Sequence, residues 1–290
     1  MSFDANAHRD ASLQNWEEAA PGWVRRQELL RELGAPVSRW MLDTLSLAPG
    51  QRVLELAAGL GETGMLAAEL VAPTGGVIIS DQAEAMLEGA RARAIALSLS
   101  NVEFQVLNAE WIDLPVASVD AVLCRWGYML MADPAVALGE TRRVLRPGGR
   151  LALAVWDSIE HNPWALLPAR ELSERGLGPA QEDQQAQAPQ PRPGPFALGS
   201  SERVSELLEQ AGFGEIHVEG MELNRRHASF RDLWEATLDL SRGFHDAVLE
   251  QPESEIAAIE AGLAERFAPF TAADGTLEVP GRTLLASAEA

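Results

Sequence analysis

The stretch Arg52-Val-Leu-Glu55-Leu-Ala-Ala-Gly59-Leu-Gly61-Glu-Thr-Gly64 decides how the rest of this 290-residue chain is read. Arg52–Leu56 is apolar enough to be a short buried strand, and Glu62–Val71 has the composition of a helix. Glycines between them let the backbone approach a ligand closely. The helix that follows offers N–H groups that have no partner inside the helix. Such donors suit a phosphate, and equally the carboxylate of an amino acid. Gly59-x-Gly61-x-x-Gly64 also satisfies the dinucleotide fingerprint, with Asp81 about twenty residues on. Glu55 points away from a nucleotide: a carboxylate at the strand end repels a pyrophosphate and suits an ammonium group. A tight turn without a ligand is the remaining alternative.

Outward from this loop the chain alternates regularly. Gly75 and Gly76 turn it into a second apolar strand, Val77–Ser80, ending at Asp81. Ala83, Met86, Leu87, Ala90, Ala94 and Leu97 then recur at helical spacing. Val102–Val106 and Val119–Cys124 read as strands, Pro134–Val144 as a helix, Arg146-Pro-Gly-Gly149 as a turn and Leu151–Trp156 as a fifth strand. Strands alternating with helices at this spacing build βαβ units and a mostly parallel sheet. Its ligands bind outside the carboxyl ends of the strands, where the strand order reverses. Residues 1–50 carry Trp16, Trp23, Leu30, Val37 and Met41 at mixed helical spacings. Beyond Trp156, residues 157–175 read as helical, 178–198 as an exposed, mobile loop, and Ser201–Ala211 as a helix stopped by Gly212. Ile216–Glu219 resumes a strand, 228–268 is largely helical, and Thr283–Ser287 is expected as a last edge strand.

A hydrophobic fraction of 47% supports a full core. The single cysteine, Cys124, rules out an intramolecular disulfide and a Cys-based zinc site, which suits a reducing compartment. There is no secretory leader pattern and no apolar run of membrane-spanning length, so the expected location is the cytoplasm. The formal net charge is −20. A surface this acidic repels nucleic-acid phosphates and favours a small-molecule partner. No His/Asp/Glu cluster has metal-ligand spacing. Acid pairs such as Glu17-Glu18 and Glu182-Asp183 read as solvated surface.

Several segments, in order, resemble the class I S-adenosylmethionine-dependent methyltransferases, and most nearly the quinone-biosynthesis C-methyltransferase group. They are Val53-Leu-Glu-Leu-Ala-Ala-Gly-Leu-Gly61, Ile78-Ile-Ser-Asp81-Gln82 with Met86-Leu87, Asn108-Ala109-Glu110, Asp120-Ala-Val-Leu-Cys124-Arg125-Trp126, and Arg143-Val-Leu-Arg-Pro-Gly-Gly149. The resemblance covers about residues 50–157 well and the rest loosely. It implies a Rossmann-like α/β fold: a mostly parallel seven-stranded sheet with helices on both faces, N-terminal helices and a helical cap. The implied division is 1–48, an N-terminal helical segment; 49–157, the donor-binding core; and 158–290, cap insertions with the last strands of the sheet. Glu55, Ala57, Ala58, Gly59, Gly61, Asp81, Gln82, Met86, Asn108, Ala109, Glu110, Trp111, Cys124 and Arg125 are the residues it assigns to S-adenosylmethionine. Asp81 is the ribose acceptor in this scheme, with a helix N-cap as its alternative. Trp111 is placed to stack on adenine. Two departures stand out: Ala57 replaces the usual glycine, and Asn108 replaces an aspartate while keeping an acceptor oxygen.

Methyl transfer from a sulfonium needs positioning and exclusion of water more than a catalytic triad. Candidates for a catalytic role are therefore single residues: Tyr128 and Arg125 after the fourth strand, His161 after the fifth, and His227 and His245 in the cap. For each histidine a surface or structural role is the alternative, and for Arg125 an ion pair. Trp16 and Trp23 are expected on a packed core face. Trp164, Phe196, Phe230, Trp234 and Phe244 suggest an apolar wall for the acceptor. The expected function is transfer of a methyl group to a small, fairly apolar metabolite, with the acceptor atom open and the state monomer or homodimer. The alternatives are an NAD(P)-dependent oxidoreductase using Gly59–Gly64, and a donor-binding protein or cyclase that transfers no methyl group.

Overall fold

The computed structural model describes residues 3–178 and 192–290. Seven strands form one sheet: β1 (Arg52–Glu55), β2 (Gly76–Asp81), β3 (Val102–Val106), β4 (Val119–Arg125), β5 (Leu145–Trp156), β6 (Gly214–His227) and β7 (Leu277–Glu289). Their order across the sheet is β3-β2-β1-β4-β5-β7-β6. The first five are parallel, while β7 runs antiparallel between β5 and β6. Val53-Leu54, Val77–Ile79, Ala121–Cys124 and Leu151–Val155 are buried. Covered on both faces, such strands read as continuous apolar runs. The edge strand β6 instead carries exposed Glu215, His217, Glu219, Glu222 and Arg226, charges that blunt further strand pairing.

Helices α3 (Glu62–Val71), α4 (Glu84–Ala96) and α5 (Pro134–Val144) follow β1, β2 and the turn after β4. The chain winds one way from β1 to β3 and the other way from β4, so the order reverses between β1 and β4. This opens a crevice above their carboxyl ends. Two long helices, α1 (Ala5–Arg25) and α2 (Gln27–Leu45), precede the sheet and break at Arg26. Buried Val37, Met41 and Leu45 of α2 join the main core. Helix α1 lies across α4 and α8 (Phe230–Leu240).

The cap has its own core. It combines α6 (Pro163–Glu174), α8, α9 (Arg242–Leu249) and α10 (Glu253–Phe267) around Leu172, Trp234, Phe244, Ile259 and Phe267. Leu277 and Val279 of β7 extend into this cluster. Helix α7 (Ser201–Gln210) is capped by Ser200, whose side chain accepts the Arg203 N–H, and it packs on the main sheet.

Four sequence expectations change. The last strand is interior, not an edge: β7 pairs with both β5 and β6, and the edge is β6. The sixth strand covers 214–227 rather than 216–219 because its alternating, charged outer face hides the apolar signal. Most of the loop expected at 178–198, with Glu182-Asp183, lies outside the described residues; its end packs down through buried Ala197 and Leu198. Glu17 and Glu18 are not idle surface acids. The Glu17 carboxylate accepts the Glu84 and Ala85 N–H groups at 2.7 and 3.1 Å, capping α4, whose own cap residue Ala83 has no side-chain acceptor. Glu18 pairs with Arg242 at 3.0 Å. Glu17→Ala removes an acceptor and a negative charge from the positive end of a helix. It should cost about 1 kcal/mol in urea unfolding, whereas an equally exposed acid away from a helix end should cost less than about 0.5 kcal/mol.

Candidate active site

The cavity sits over the carboxyl ends of β1, β2 and β4, with α1, from His8 to Trp23, as its roof. Its floor is the loop after β1. Ala57, Gly59 and Gly61 all adopt left-handed backbone, at φ of 49°, 54° and 73°. The Ala58 N–H donates to Ser80 O, and the Gly59 N–H donates to Asp81 Oδ2 at 2.8 Å. Ala57 is the strained member, since its Cβ crowds the backbone at positive φ. Gly127 is matched to it: a Cβ there would fall 2.6 Å from the Ala57 Cβ and 2.7 Å from Cys124 Sγ.

Three carboxylates surround the loop. Asp81 is buried, accepts the Gly59 and Ala83 N–H groups, and lines the cavity. Burial raises its pKa against those N–H groups, which favour the ionised form. Glu55 lies beneath the loop against Gly64 and not in the cavity wall. Burial pushes its pKa up to about 8, while Arg125 and the Gly64 N–H pull it down. Its Oε2 has no hydrogen-bond partner. Glu62, in the first turn of α3, lines the cavity and pairs through Oε2 with Arg125; its buried Oε1 has no partner.

The roof is held by polar contacts spaced along α1. His8 Nε2 donates to Leu130 O at 3.1 Å, so its Nδ1 is left as an acceptor in the neutral ring. Arg9 Nε donates to Glu110 Oε2 at 3.1 Å, and the other Glu110 oxygen accepts the Ala132 N–H. Gln82 Nε2 donates to Ser12 Oγ at 3.0 Å. Trp16 and Trp23 meet edge to face, with centroids 5.2 Å apart, and both line the cavity. They also pack against the buried cluster of Ala19, Ala20, Leu60, Ala83 and Met86, so the packed face that their spacing suggests is at the same time a cavity wall. The buried Trp23 Nε1–H has no partner.

Ten of the sequence-assigned donor residues line this one cavity: Ala57, Ala58, Gly59, Asp81, Gln82, Met86, Asn108, Ala109, Glu110 and Arg125. Glu55, Gly61, Trp111 and Cys124 do not. Trp111 is 77% exposed, and Cys124 is buried behind Gly127 with its thiol pushed up to about 12 by burial. Asn108 Oδ1 accepts the Glu110 N–H at 2.8 Å, closing a local turn. Of the catalytic candidates only Arg125 reaches the cavity, and there its charge is matched by Glu62. Tyr128 is buried and hydrogen-bonded to Thr141, and burial raises its pKa well above the usual phenol range. His161 faces Asp157, and His245 faces Asp246. His227 is buried beside Asp232, its pKa lowered by burial against that partner. Phe230, Trp234 and Phe244 fill the separate cap core instead of an acceptor wall. The missed residues come from α1 (His8, Arg9, Ser12) and from Leu130–Ala132. Nothing local in the sequence marks them, since they reach the site only by long-range packing.

A methyltransferase-domain family model matches residues 47–212, more than half of the chain. The chain belongs to this methyltransferase family. The match sets aside the nicotinamide reading of Gly59–Gly64 and makes S-adenosylmethionine the cofactor of the fold. An uncharacterized 37.1 kDa protein of transposon TN4556 from Streptomyces fradiae is 36% identical over 163 residues, covering 54% of this chain and 47% of the relative. The ubiquinone/menaquinone biosynthesis C-methyltransferase UbiE of Hahella chejuensis is 36% identical over 114 residues, covering 39% of this chain and 46% of the relative. The chain thus spans about half the length of the curated relatives it matches. The YcgJ protein of Bacillus subtilis has the same fold, with a TM-score of 0.56 at 18% identity over 87% of this chain and 97% of that one.

Two outcomes test this geometry. Ala57→Gly removes the positive-φ strain, offset in part by the greater freedom of glycine in the unfolded chain. It should raise stability by about 0.5–1 kcal/mol in denaturant titration. Glu55 gives a pH signature. Its folded pKa lies above its unfolded value, so its contribution is fully present below about pH 4.5 and is lost as pH rises through about 8. Glu55→Gln should therefore gain stability relative to wild type progressively from pH 5 to 8; a flat difference would contradict the buried, unpaired carboxylate.

Proposed function

We propose that this protein transfers the methyl group of S-adenosylmethionine to a small, fairly apolar metabolite. The observation that carries the reading is one cavity wall holding Asp81, the Gly59 loop and two buried polar atoms without partners, Glu62 Oε1 and Trp23 Nε1. Unpaired buried polar atoms are costly, and a ligand with an amino-acid end and a nucleoside end offers groups for them. In this proposal Asp81 reads the ribose hydroxyls, while Gln82 and Met86 flank the adenosine. Glu62 faces the ammonium group, with Glu55 buried beneath the loop. When bound, the donor supplies a methyl group already activated on a sulfonium. The roof of α1 excludes water, and Leu30, Trp126, Leu130 and Met131 give the cavity an apolar side for the acceptor.

The proposed division keeps residues 49–157 for the donor and leaves 1–48 and 158–290 to close over it and shape the acceptor side. Among the described residues no helix is long and apolar enough to cross a membrane. A cytoplasmic enzyme with a small-molecule acceptor, acting without nucleic acid as a monomer or homodimer, fits the net charge of −20. Calorimetry should show S-adenosylmethionine and S-adenosylhomocysteine binding at one site and no binding of NADH. Asp81→Asn should weaken both ligands by about tenfold or more, because a charged acceptor of two hydroxyls is lost. Tight NADH binding, or an unchanged Asn variant, would refute the assignment. A labelled-donor screen that yields methylated product separates transfer from mere donor binding.

A further inference from the structure

Helix α1 crosses the cavity with His8, Arg9, Ser12, Trp16 and Trp23 in its wall, and successive parts of that row lie over different parts of the floor. Trp23 stands over the loop after β1: a Cβ on Gly59 would lie 3.6 Å from its ring. Ser12 stands over the end of β2, where its Oγ accepts from Gln82, next to Asp81. His8 and Arg9 stand where the turn after β3 meets Leu130–Ala132: Arg9 holds Glu110, and His8 holds Leu130 O. In S-adenosylmethionine the ribose lies between the amino-acid end and the purine. With Glu62 and the Gly59 loop at the amino-acid end and Asp81 at the ribose, the purine falls at the corner under His8.

The acceptor oxygens of this corner already hold partners. Glu110 accepts Arg9 Nε at 3.1 Å with one oxygen and the Ala132 N–H at 3.0 Å with the other. Asn108 Oδ1 accepts the Glu110 N–H at 2.8 Å. Leu130 O takes the His8 Nε2–H at 3.1 Å. A carbonyl only accepts, so this last bond fixes which ring nitrogen carries the hydrogen. The neutral imidazole then presents Nδ1 as an acceptor, and among the described residues Nδ1 has no partner. Phe3, which is not in the cavity wall, packs on the ring with centroids 5.6 Å apart. Together with the Leu130 bond it holds the orientation of the imidazole.

We propose that His8 is a specificity-determining residue for the donor: its Nδ1 accepts a hydrogen bond from the exocyclic amino group of the purine and so selects a 6-amino over a 6-oxo base. A 6-oxo purine brings an oxygen to the same place, and two facing acceptors leave both unpaired. The proposal rests on the donor reading for its ligand. S-adenosylhomocysteine and S-inosylhomocysteine, which carry an amino group and an oxygen at that position, are titrated by calorimetry into wild type, His8→Gln and His8→Asn. Glutamine places its amide near Nε2, so it can still donate to Leu130 O but leaves nothing at Nδ1. Asparagine places its amide near Nδ1, so it can still offer an oxygen there but no longer reaches Leu130 O. Wild type should prefer the adenosyl ligand by about tenfold or more. His8→Gln should reduce that preference to about twofold or less, through weaker S-adenosylhomocysteine binding, and His8→Asn should keep part of it. A residue that merely pins α1 to Leu130 gives the reverse: the Gln variant keeps the preference, and the Asn variant weakens both ligands alike. That result, or a preference of wild-type size in His8→Gln, overturns the proposal. If either variant melts early, His8→Ala decides by the same ratio, because a loosened roof weakens both ligands together whereas a lost acceptor weakens only one. Wild type that binds no S-adenosylhomocysteine overturns the donor reading; wild type that binds it with a ratio indifferent to His8 overturns this proposal alone.

Discussion

One buried carboxylate ties the two halves of the cavity floor together. Asp81, at the end of β2, accepts the N–H of Gly59 with one oxygen and the N–H of Ala83 with the other. The first bond holds the loop after β1, and the second sets the start of α4. Both lie where the strand order reverses, so the crevice and its floor are fixed by the same side chain. Burial makes the carboxylate expensive to ionise, and the N–H groups offset that cost without filling every acceptor position. The residue thus caps, braces and faces the cavity at once, so the ligand and N-cap readings of Asp81 are compatible.

The second organising feature is the roof. Helix α1 contributes little to the main core, whose α-helical cover on this side comes from α2. Its small packed patch, Ala19 and Ala20 with Leu60, Ala83 and Met86, lies at the cavity's own rim. Polar contacts fasten it elsewhere: Arg9 to Glu110, Ser12 to Gln82 and Glu17 to the α4 terminus. At its far end Arg25 and Arg26 grip Asp232 and Asp239 of α8, and Gly22 lets the two helices touch, since a Cβ there would lie 2.2 Å from Asp239 O. Most of these ion pairs are partly buried, with only Arg25 largely exposed.

The cap follows a different logic. It is inserted between β6 and β7 and builds its own apolar core, so its aromatic residues are largely consumed in holding it together. None of its described residues lines the cavity, whose wall ends at Ala132; beside it the β6–β7 pair overhangs the end of β5. Antiparallel β7, slotted between β5 and β6, makes that overhang possible, because the hairpin can outrun its parallel neighbour.

The sequence alone determined the alternating βαβ core, its glycine loop, and the residues that meet there, because strand runs, helix periods and turn glycines are local consequences of side-chain size and backbone freedom. Ala57, Asp81 and Asn108-Ala109-Glu110 were legible for that reason. Only the tertiary structure decided that α1 covers the site, that His8, Arg9 and Trp23 face it, and that Glu55 backs the loop without lining the cavity. It also decided that the last strand is interior. Those facts depend on which distant surfaces pack together, and long-range packing leaves no mark in the spacing of neighbouring residues. The glycine loop is written in consecutive residues, whereas the roof over it comes from helix α1, about forty residues earlier in the chain.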